Sequence, residues 1–311
     1  MSVRPFDWRD LPVLHRYRDQ SVFLDTALVL TRGPMILPGA LFSYLAPSMG
    51  IFTCVLSSNG ASGTPVIGQF IHLLGSPLSH LTFLAPQEAL DTTQVAALVE
   101  YMLGQLGERG AMRLLADVDE HSSAFEALRS NGFVIYTRQR IWQLTGHPPA
   151  GLHAESWRVA NDQDEIAIRG LYNNLVPALV QQVELFATQR PRGMVYYQNG
   201  ELQAYVELKY GHRGIWAHPF IHPDAEDVSD QFIDLLSKIP NRRSRPVYVC
   251  VRSYQAWLEA AIEELGAEAG PRQAVMAKQL MIPQKAARAY AIPSLEGGQP
   301  EITAPVARLE R

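Results

Sequence analysis

The chain has 311 residues, a formal net charge of -4 and an isoelectric point near 6.1. This acidic balance gives no general attraction for DNA or for an anionic membrane, so neither is an expected partner. The length suits two domains of ordinary size, each able to bury its own core. Arg4, Asp7, Arg9 and Asp10 stand near the N-terminus without an apolar core, which is unlike a signal peptide and predicts a cytoplasmic protein.

The first predicted elements are a short strand at 2–6 and a helix after Asp7, a suitable N-cap residue. Residues 33–87 then contain no Asp, Glu, Lys or Arg. Glycines and prolines divide this stretch into pieces shorter than the roughly 20 residues of a membrane span. We favour buried strands with a domain or homodimer interface at 33–87; the alternative is the lining of an apolar ligand pocket.

The same order of elements is predicted twice, at 65–144 and at 201–281: strand, strand, long helix, strand, helix, strand. In each copy the second strand runs into a proline, Pro86 or Pro223, and a polar stretch leads into the long helix. In the second copy Asn199-Gly200 predicts a tight hairpin just before the repeat, because a type I′ turn needs positive φ at both positions.

This repetition divides the chain into an N-terminal domain at 1–146 and a C-terminal domain at 156–283. Residues 147–155 are rich in Gly and Pro and are interpreted as the linker. Residues 284–311 lack periodicity, which predicts a mostly disordered tail. Cys54 and Cys250 each lie in an apolar run, which favours buried free thiols in a reducing compartment over a disulfide or a metal pair.

The order of elements in 1–144 and again in 156–282 resembles the GCN5-related N-acetyltransferase (GNAT) superfamily. The local match in the first half lies at Val118, His121, Ala124, Leu128, Gly132 and Phe133. The resemblance implies an α/β protein of two tandem GNAT-like domains, each a mixed, mostly antiparallel sheet flanked by helices. It also implies acyl transfer from acyl-CoA to an amine as the family activity, with acetyl-CoA as the cofactor if the chain is active.

Members of that family bind acetyl-CoA through Arg/Gln-x-x-Gly-x-Gly/Ala before the long helix, where glycines let backbone N–H groups approach the pyrophosphate. Neither copy has a glycine there, and the second carries four carboxylates at 224–230, which would repel a phosphate. The resemblance therefore implies two degenerate acetyl-CoA loops. The corresponding positions are Gln87, Leu90 and Thr92 in the first half and Glu226 and Ser229 in the second.

The family's acid, a tyrosine on the last helix, corresponds to Leu128 and Ile262, which cannot transfer a proton. The remaining catalytic candidates are His72, His121 and Glu207 as general bases and Tyr254 as an acid.

No metal site is predicted. The polar cluster at 117–121 is more typical of a helix cap than of a metal centre. His218 and His222 share one face of a predicted strand about 13 Å apart, too far for chelation.

Three hypotheses for function follow. The favoured one is a degenerate tandem GNAT protein without ordinary acetyl-CoA binding, acting as a ligand-binding or interaction module for an unidentified small molecule or protein. The second is an active N-acyltransferase with an atypical CoA site in one half. The third is a resemblance to the tandem GNAT-fold transferases that use aminoacyl-tRNA, against which the absence of a basic stripe counts.

Overall fold

The computed structural model describes residues 2–57, 64–90, 93–145, 157–184, 186 and 191–280. Contacts between elements join these described residues into one unit. The linker predicted at 147–155 and the tail predicted at 284–311 lie outside the described residues, so the domain boundaries placed there stay predictions.

The predicted order of elements occurs in both halves. The first half contains strands β1 Ser2–Pro5, β2 Val22–Phe23, β3 Ile51–Ser57, β4 Val66–His72, β5 Leu78–Ala85, β6 Arg113–Asp119 and β7 Val134–Leu144, and helices α1 Leu11–Arg16, α2 Thr26–Arg32, α3 Ile36–Leu45, α4 Thr93–Glu108 and α5 Ser123–Ser130. The second half contains β8 Arg158–Val159, β9 Gly193–Gln198, β10 Glu201–Tyr210, β11 Ile215–Ile221, β12 Val247–Arg252 and β13 Glu268–Gln279, with α6 Glu165–Leu175, α7 Ala178–Val183, α8 Val228–Lys238 and α9 Leu258–Glu264.

The strands form a single mixed sheet in the order β1-β3-β4-β5-β6-β13-β7-β12-β11-β10-β9-β8, with β2 beside β5. The last strand of each half lies in the other half's sheet. β13 is antiparallel to β6 and β7, and β7 is antiparallel to β12. Two domains with one sheet each, as the resemblance implies, would keep each final strand in its own half. The exchange instead pairs the inner edges of the two sheets and leaves no open edge between them.

Each half begins with the same ion pair. Arg4 donates to the Asp10 carboxylate at 2.6 and 2.7 Å, and Arg158 donates to Asp164 at 2.6 and 2.8 Å. In both halves this carboxylate also accepts a hydrogen bond from the backbone of the N-cap residue at 2.9 Å. The shared geometry supports the repetition predicted from the order of elements.

Helices cover both faces of the sheet. One face packs against α4 and α5 in the first half and α8 and α9 in the second, which buries the two larger cores. The other face packs against α1 and α3 in the first half and α6 and α7 in the second. Helix α2 belongs to the first half in sequence but packs on the second half, where Ala27 and Leu30 contact Ile141, Trp216 and Cys250. The Cys250 thiol and the Cys54 thiol are both buried and free, as predicted.

The uncharged stretch at 33–87 forms α3 and strands β3 to β5. Helix α3 was not expected because it contains Pro38 and Gly39, yet Pro38 lies in its first turn, where a missing N–H costs nothing. Leu45, Met49, Leu73 and Leu74 are exposed at one end of this region. The predicted homodimer through 33–87 stays a prediction.

None of the described helices alone has the length and apolarity needed to cross a membrane. Helices α2 and α3 reach that length and apolarity only as a pair, and the two are bent by 101° at the break between them.

Candidate functional site

Two crevices arise where parallel strands separate. β5 and β6 pair only from Leu78↔Arg113 to His80↔Leu115, and β11 and β12 pair only from Ile215↔Val247 to Ala217↔Val249. Beyond those positions each strand presents backbone groups that its parallel neighbour does not satisfy. Ligands of open α/β sheets commonly bind outside the carboxyl ends of strands, at such separations. We call the gap between β5 and β6 the first crevice and the gap between β11 and β12 the second crevice.

The first crevice is filled by the chain's own backbone. Strand β2 pairs with β5 through Val22↔Leu84 and Phe23↔Phe83. The next residue, Leu24, donates its N–H to the Thr82 carbonyl at 2.9 Å and accepts from the Asp117 N–H at 2.8 Å. Leu24 therefore bridges the two separated strands, and its side chain is 1% exposed.

The second crevice is filled by a side chain. Gln255 follows β12 and is 2% exposed. Its amide Nε2 donates to the Pro219 carbonyl at 2.8 Å, and its Oε1 accepts from the Ile221 N–H at 2.9 Å. One side-chain amide thus satisfies both a donor and an acceptor that β11 presents to the second crevice.

The predicted loop positions have ordinary structural roles. In the first half, Gln87 is exposed and its backbone N–H donates to the Gln20 carbonyl at 2.7 Å, while Leu90 is 2% exposed and belongs to the core under α4. Thr92 lies outside the described residues. In the second half, Ser229 donates to Glu264 at 2.8 Å and Glu226 is exposed.

The start of α8 is acidic. A surface depression lies there, and four of its seven lining residues carry carboxylates. Its lining residues are Tyr196, Gln198, Glu226, Asp227, Asp230, Gln231 and Asp234. A phosphate at this helix start would meet like charge, which opposes the attraction of the free N–H groups.

The positions of the family's tyrosine lie in the core. Leu128 and Ile262 are both 0% exposed and belong to the cores under α4 and α8 respectively. Neither side chain can exchange a proton.

Two of the four catalytic candidates have local structural partners. His72 is 3% exposed; its Nδ1 lies 2.9 Å from Ser79 Oγ and its Nε2 lies 3.3 Å from the Arg109 carbonyl. His121 is exposed in the turn after β6, where its backbone N–H donates to Asp119 at 2.9 Å. These contacts fix a strand end and a turn.

The other two candidates lie near two buried residues of neighbouring strands, Glu207 beside His218 and Tyr254 beside Arg252. Glu207 lies directly across from His218 in the pairing of β10 with β11, so their side chains share a face. Tyr254 follows Arg252 by two residues, and burial raises the pKa of its phenol, with a smaller opposing effect of Arg252. The structure therefore brings Glu207 and Tyr254 to one region and leaves His72 and His121 elsewhere.

Five neighbouring strands place polar side chains on the same face near the middle of the sheet. We call this set the central polar row. It consists of His218 on β11, Arg252 on β12, Gln139 on β7, Gln273 on β13 and Asp117 on β6. Sequence reasoning missed this set because the exchange of β7 and β13 brings the residues together. The one available signal was a charged residue, Arg252, that ends an otherwise apolar strand.

Hydrogen bonds link three members of the central polar row, Gln139, Gln273 and Asp117. The Cys250 thiol donates to Gln139 Oε1 at 3.3 Å, and Gln139 Nε2 donates to Gln273 Oε1 at 2.9 Å. Thr26, at the start of α2, donates its hydroxyl to Gln273 at 3.1 Å and its backbone N–H to Asp117 at 3.2 Å. Helix α2 is thereby fixed over the row by its first residue.

Charge on the second-half side centres on Arg252. Its Nη2 donates to Glu184 Oε1 at 2.8 Å, and the Tyr136 hydroxyl donates to the same oxygen. Burial works against the charged guanidinium, but Glu184 and then Cys250 raise the pKa of Arg252 well above its ordinary value. Burial, and then Glu184, also raise the pKa of Tyr136, so this phenol stays protonated as a donor.

Comparisons with known proteins agree with the fold. No protein-family model and no curated protein matches the sequence. A GCN5-related N-acetyltransferase from Sphaerobacter thermophilus is similar in structure, with a TM-score of 0.55 at 11% identity over 90% of this chain and 95% of that one. A tandem GNAT protein from the clavulanic acid biosynthesis pathway matches with a TM-score of 0.50 at 14% identity over 90% and 98% of the two chains. The chain therefore has the tandem GNAT fold that its sequence predicts.

Proposed function

We propose that this chain is a tandem GNAT-fold protein that has lost the family's ordinary acetyl-CoA binding and acts as a ligand-binding module. One observation carries the proposal: both crevices are occupied by groups of the chain itself, the backbone of Leu24 and the amide of Gln255. The extended arm of CoA carries amides that would need the same strand groups. Those groups already have partners.

Displacing Leu24 would be costly. Exposing a buried leucine side chain costs about 2 kcal/mol, and its two backbone hydrogen bonds are worth about 1 kcal/mol each. A penalty of about 4 kcal/mol weakens a dissociation constant roughly 1,000-fold. In the second half the carboxylates at the start of α8 add repulsion toward the diphosphate. Ordinary acetyl-CoA binding is therefore opposed in both halves.

Calorimetric titration of the full chain tests the proposal. We expect no saturable heat with acetyl-CoA or CoA up to millimolar concentration. Pantetheine and ADP serve as matched probes, because pantetheine reports on the crevices alone and ADP on the loops alone. One-site binding of acetyl-CoA in the micromolar range would contradict the proposal, and the two probes would then identify the part of the site that binds.

A second candidate function, an atypical N-acyltransferase, is favoured by the proton donors and acceptors around Arg252. Tyr136 and Glu184 are in contact there, and burial lowers the pKa of His218 so that its ring is neutral. Such groups are the ones that general acid–base catalysis needs. Thioester turnover with a panel of amines tests this candidate, and turnover that falls in Tyr136→Phe would establish it over the first.

A further inference from the structure

Arg252 has a buried guanidinium group with a hydrogen-bond partner for only one of its three nitrogens among the described residues. The residue is 8% exposed and ends β12, at the carboxyl end of the parallel pair β11 and β12. Its Nη2 binds Glu184, but Nε and Nη1 are buried and have no hydrogen-bond partner among the described residues. An unsatisfied donor on a buried charged group costs at least about 1–3 kcal/mol, so the fold leaves a strong demand for acceptor oxygens here.

His218 adds a second unsatisfied nitrogen. It is 7% exposed, lies on the strand next to Arg252, and its Nε2 has no hydrogen-bond partner within the described part of the chain. Burial, and then the charges of Arg252 and Lys209, lower the pKa of this ring, so it is neutral and carries a single N–H. A proton on Nε2 would make His218 a second donor for the same ligand.

The neighbouring strand β10 carries charged side chains that are partly exposed to solvent. Glu207 and Lys209 on β10 lie on the same face, across from His218 and Trp216. Their side chains are 34% and 58% exposed and lie 3.8 Å apart at their charged atoms. The buried donors are therefore one strand away from charged groups that reach water.

We propose that Arg252 and His218 form a binding site for the carboxylate group of a small organic acid. The inference rests on the proposed function, since it names the ligand class of the module. A carboxylate suits a guanidinium because it offers two anionic acceptor oxygens in its plane. A phosphate, with up to two negative charges, is disfavoured because Glu184 and Asp117 already lie near Arg252 and Glu207 lies across from His218.

Thermal unfolding with acetate, propionate and succinate tests the site, with sodium chloride at equal ionic strength as the reference. We expect a saturable rise in Tm with at least one carboxylate, about 2 °C at ten times its Kd. The rise should vanish in Arg252→Gln. The double variant Arg252→Gln/Glu184→Gln should also lack the rise. It removes the charge of Glu184 as well, which the single variant leaves without its partner. His218→Phe, which keeps the ring packed on Phe220, should weaken the Kd about fivefold.

Arg140→Gln is the matched control, because Arg140 already bonds to Glu259 and to the Gly270 carbonyl and should respond like the wild type. If the Arg252 variants do not fold, the arginine Nε–H spectrum of the wild-type chain decides, since one signal should shift with the same Kd. No saturable response to any carboxylate, a response that persists without Arg252, or tighter binding of inorganic phosphate would each overturn the proposal.

The same experiments separate this inference from the proposed function. Acetyl-CoA that still binds to Arg252→Gln/Glu184→Gln would contradict the proposed loss of cofactor binding. The carboxylate site would not be affected by that result, because the thermal unfolding series with carboxylates tests it separately. Carboxylate binding that needs Arg252, together with no acetyl-CoA binding, is the outcome that both expect.

Discussion

The side-chain amide of Gln255 donates to the carbonyl oxygen of Pro219 at 2.8 Å, and so takes a backbone acceptor on β11 that β12 leaves open. The first half solves the same problem with the backbone of Leu24. The two copies of the repeat thus close the same kind of crevice by different means. The closures constrain which ligands either half can accept.

Gln255→Ala should destabilise the protein by about 3 kcal/mol. The change leaves the Pro219 carbonyl and the Ile221 N–H buried without their partner, and each lost buried bond costs about 1–2 kcal/mol. Urea unfolding followed by circular dichroism measures the loss. Gln163→Ala is the control, since Gln163 is exposed and its change should stay within about 0.5 kcal/mol. A Gln255→Ala variant as stable as that control would show that the bridge is not formed in solution.

The sequence predicts the repeated elements because their hydrophobic periodicity and turn residues are local signals. Asn199-Gly200 forms the expected hairpin turn, with φ of 52° and 83°. Leu90 stands at a loop position where the resemblance implies a glycine. A leucine is favoured there because its side chain is buried in the core under α4. The exchange of β7 and β13 gave no such signal, because a strand pattern does not specify which edge the strand will join.

Helices α2 and α7 were not predicted because they are short and gain stability from tertiary contacts. Both elements contribute to the site: Thr26 begins α2 and Glu184 directly follows α7. Glu207 and Tyr254 are catalytic candidates from the sequence, and the structure places both near the central polar row; a catalytic role for either stays a prediction. Arg252 and His218 were not recognised as a site, because their proximity depends on the pairing of β11 with β12.

Stability should fall in acid through Asp164. Arg158, despite an opposing effect of burial, lowers the pKa of this carboxyl from 3.8 to about 2 in the folded protein. A lowered folded pKa stabilises the fold above the unfolded value, and this contribution disappears as the pH falls from about 4 to below 2. The free-energy gap between wild type and Asp164→Asn should therefore shrink by about 2 kcal/mol between pH 6 and pH 2.

Urea unfolding at several pH values measures that gap. Asp162→Asn, at an exposed position nearby, should differ little from wild type throughout. An Asp164→Asn gap that is equally large at pH 2 and pH 6 would exclude the ion pair as the source of the acid sensitivity.

Both cysteines should be inert in the native state. Cys54 is 3% exposed and Cys250 is 1% exposed, and burial raises the pKa of each thiol to about 12. The thiolate is the reactive form, so neither residue should react with a disulfide reagent at pH 8. Titration should find no reactive thiol in the native protein and 2 after unfolding in guanidinium. A fast-reacting native thiol would contradict the packing around β3 or β12.

We also propose that a second copy of the chain covers the apolar end of the 33–87 region. Leu45 is 72% exposed and Leu74 is 99% exposed, an unfavourable arrangement in water. Sedimentation equilibrium should show a dimer at micromolar concentration, and Leu45→Glu should convert it to a monomer. Leu179→Glu, at a 55% exposed site in the second half, is the control and should remain dimeric. A wild-type monomer at 100 micromolar, a concentration on the order of those used for structural work, would exclude this interface.

Amide hydrogen exchange tests most directly whether the chain itself closes both crevices. Leu24 donates to Thr82, Asp117 donates to Leu24, and Ile221 donates to Gln255. These three amides should exchange as slowly in the free protein as the central strands do, and millimolar acetyl-CoA should leave their rates unchanged. Fast exchange in the free protein that becomes slow when acetyl-CoA is added would show that the crevices are open cofactor sites and would contradict the account.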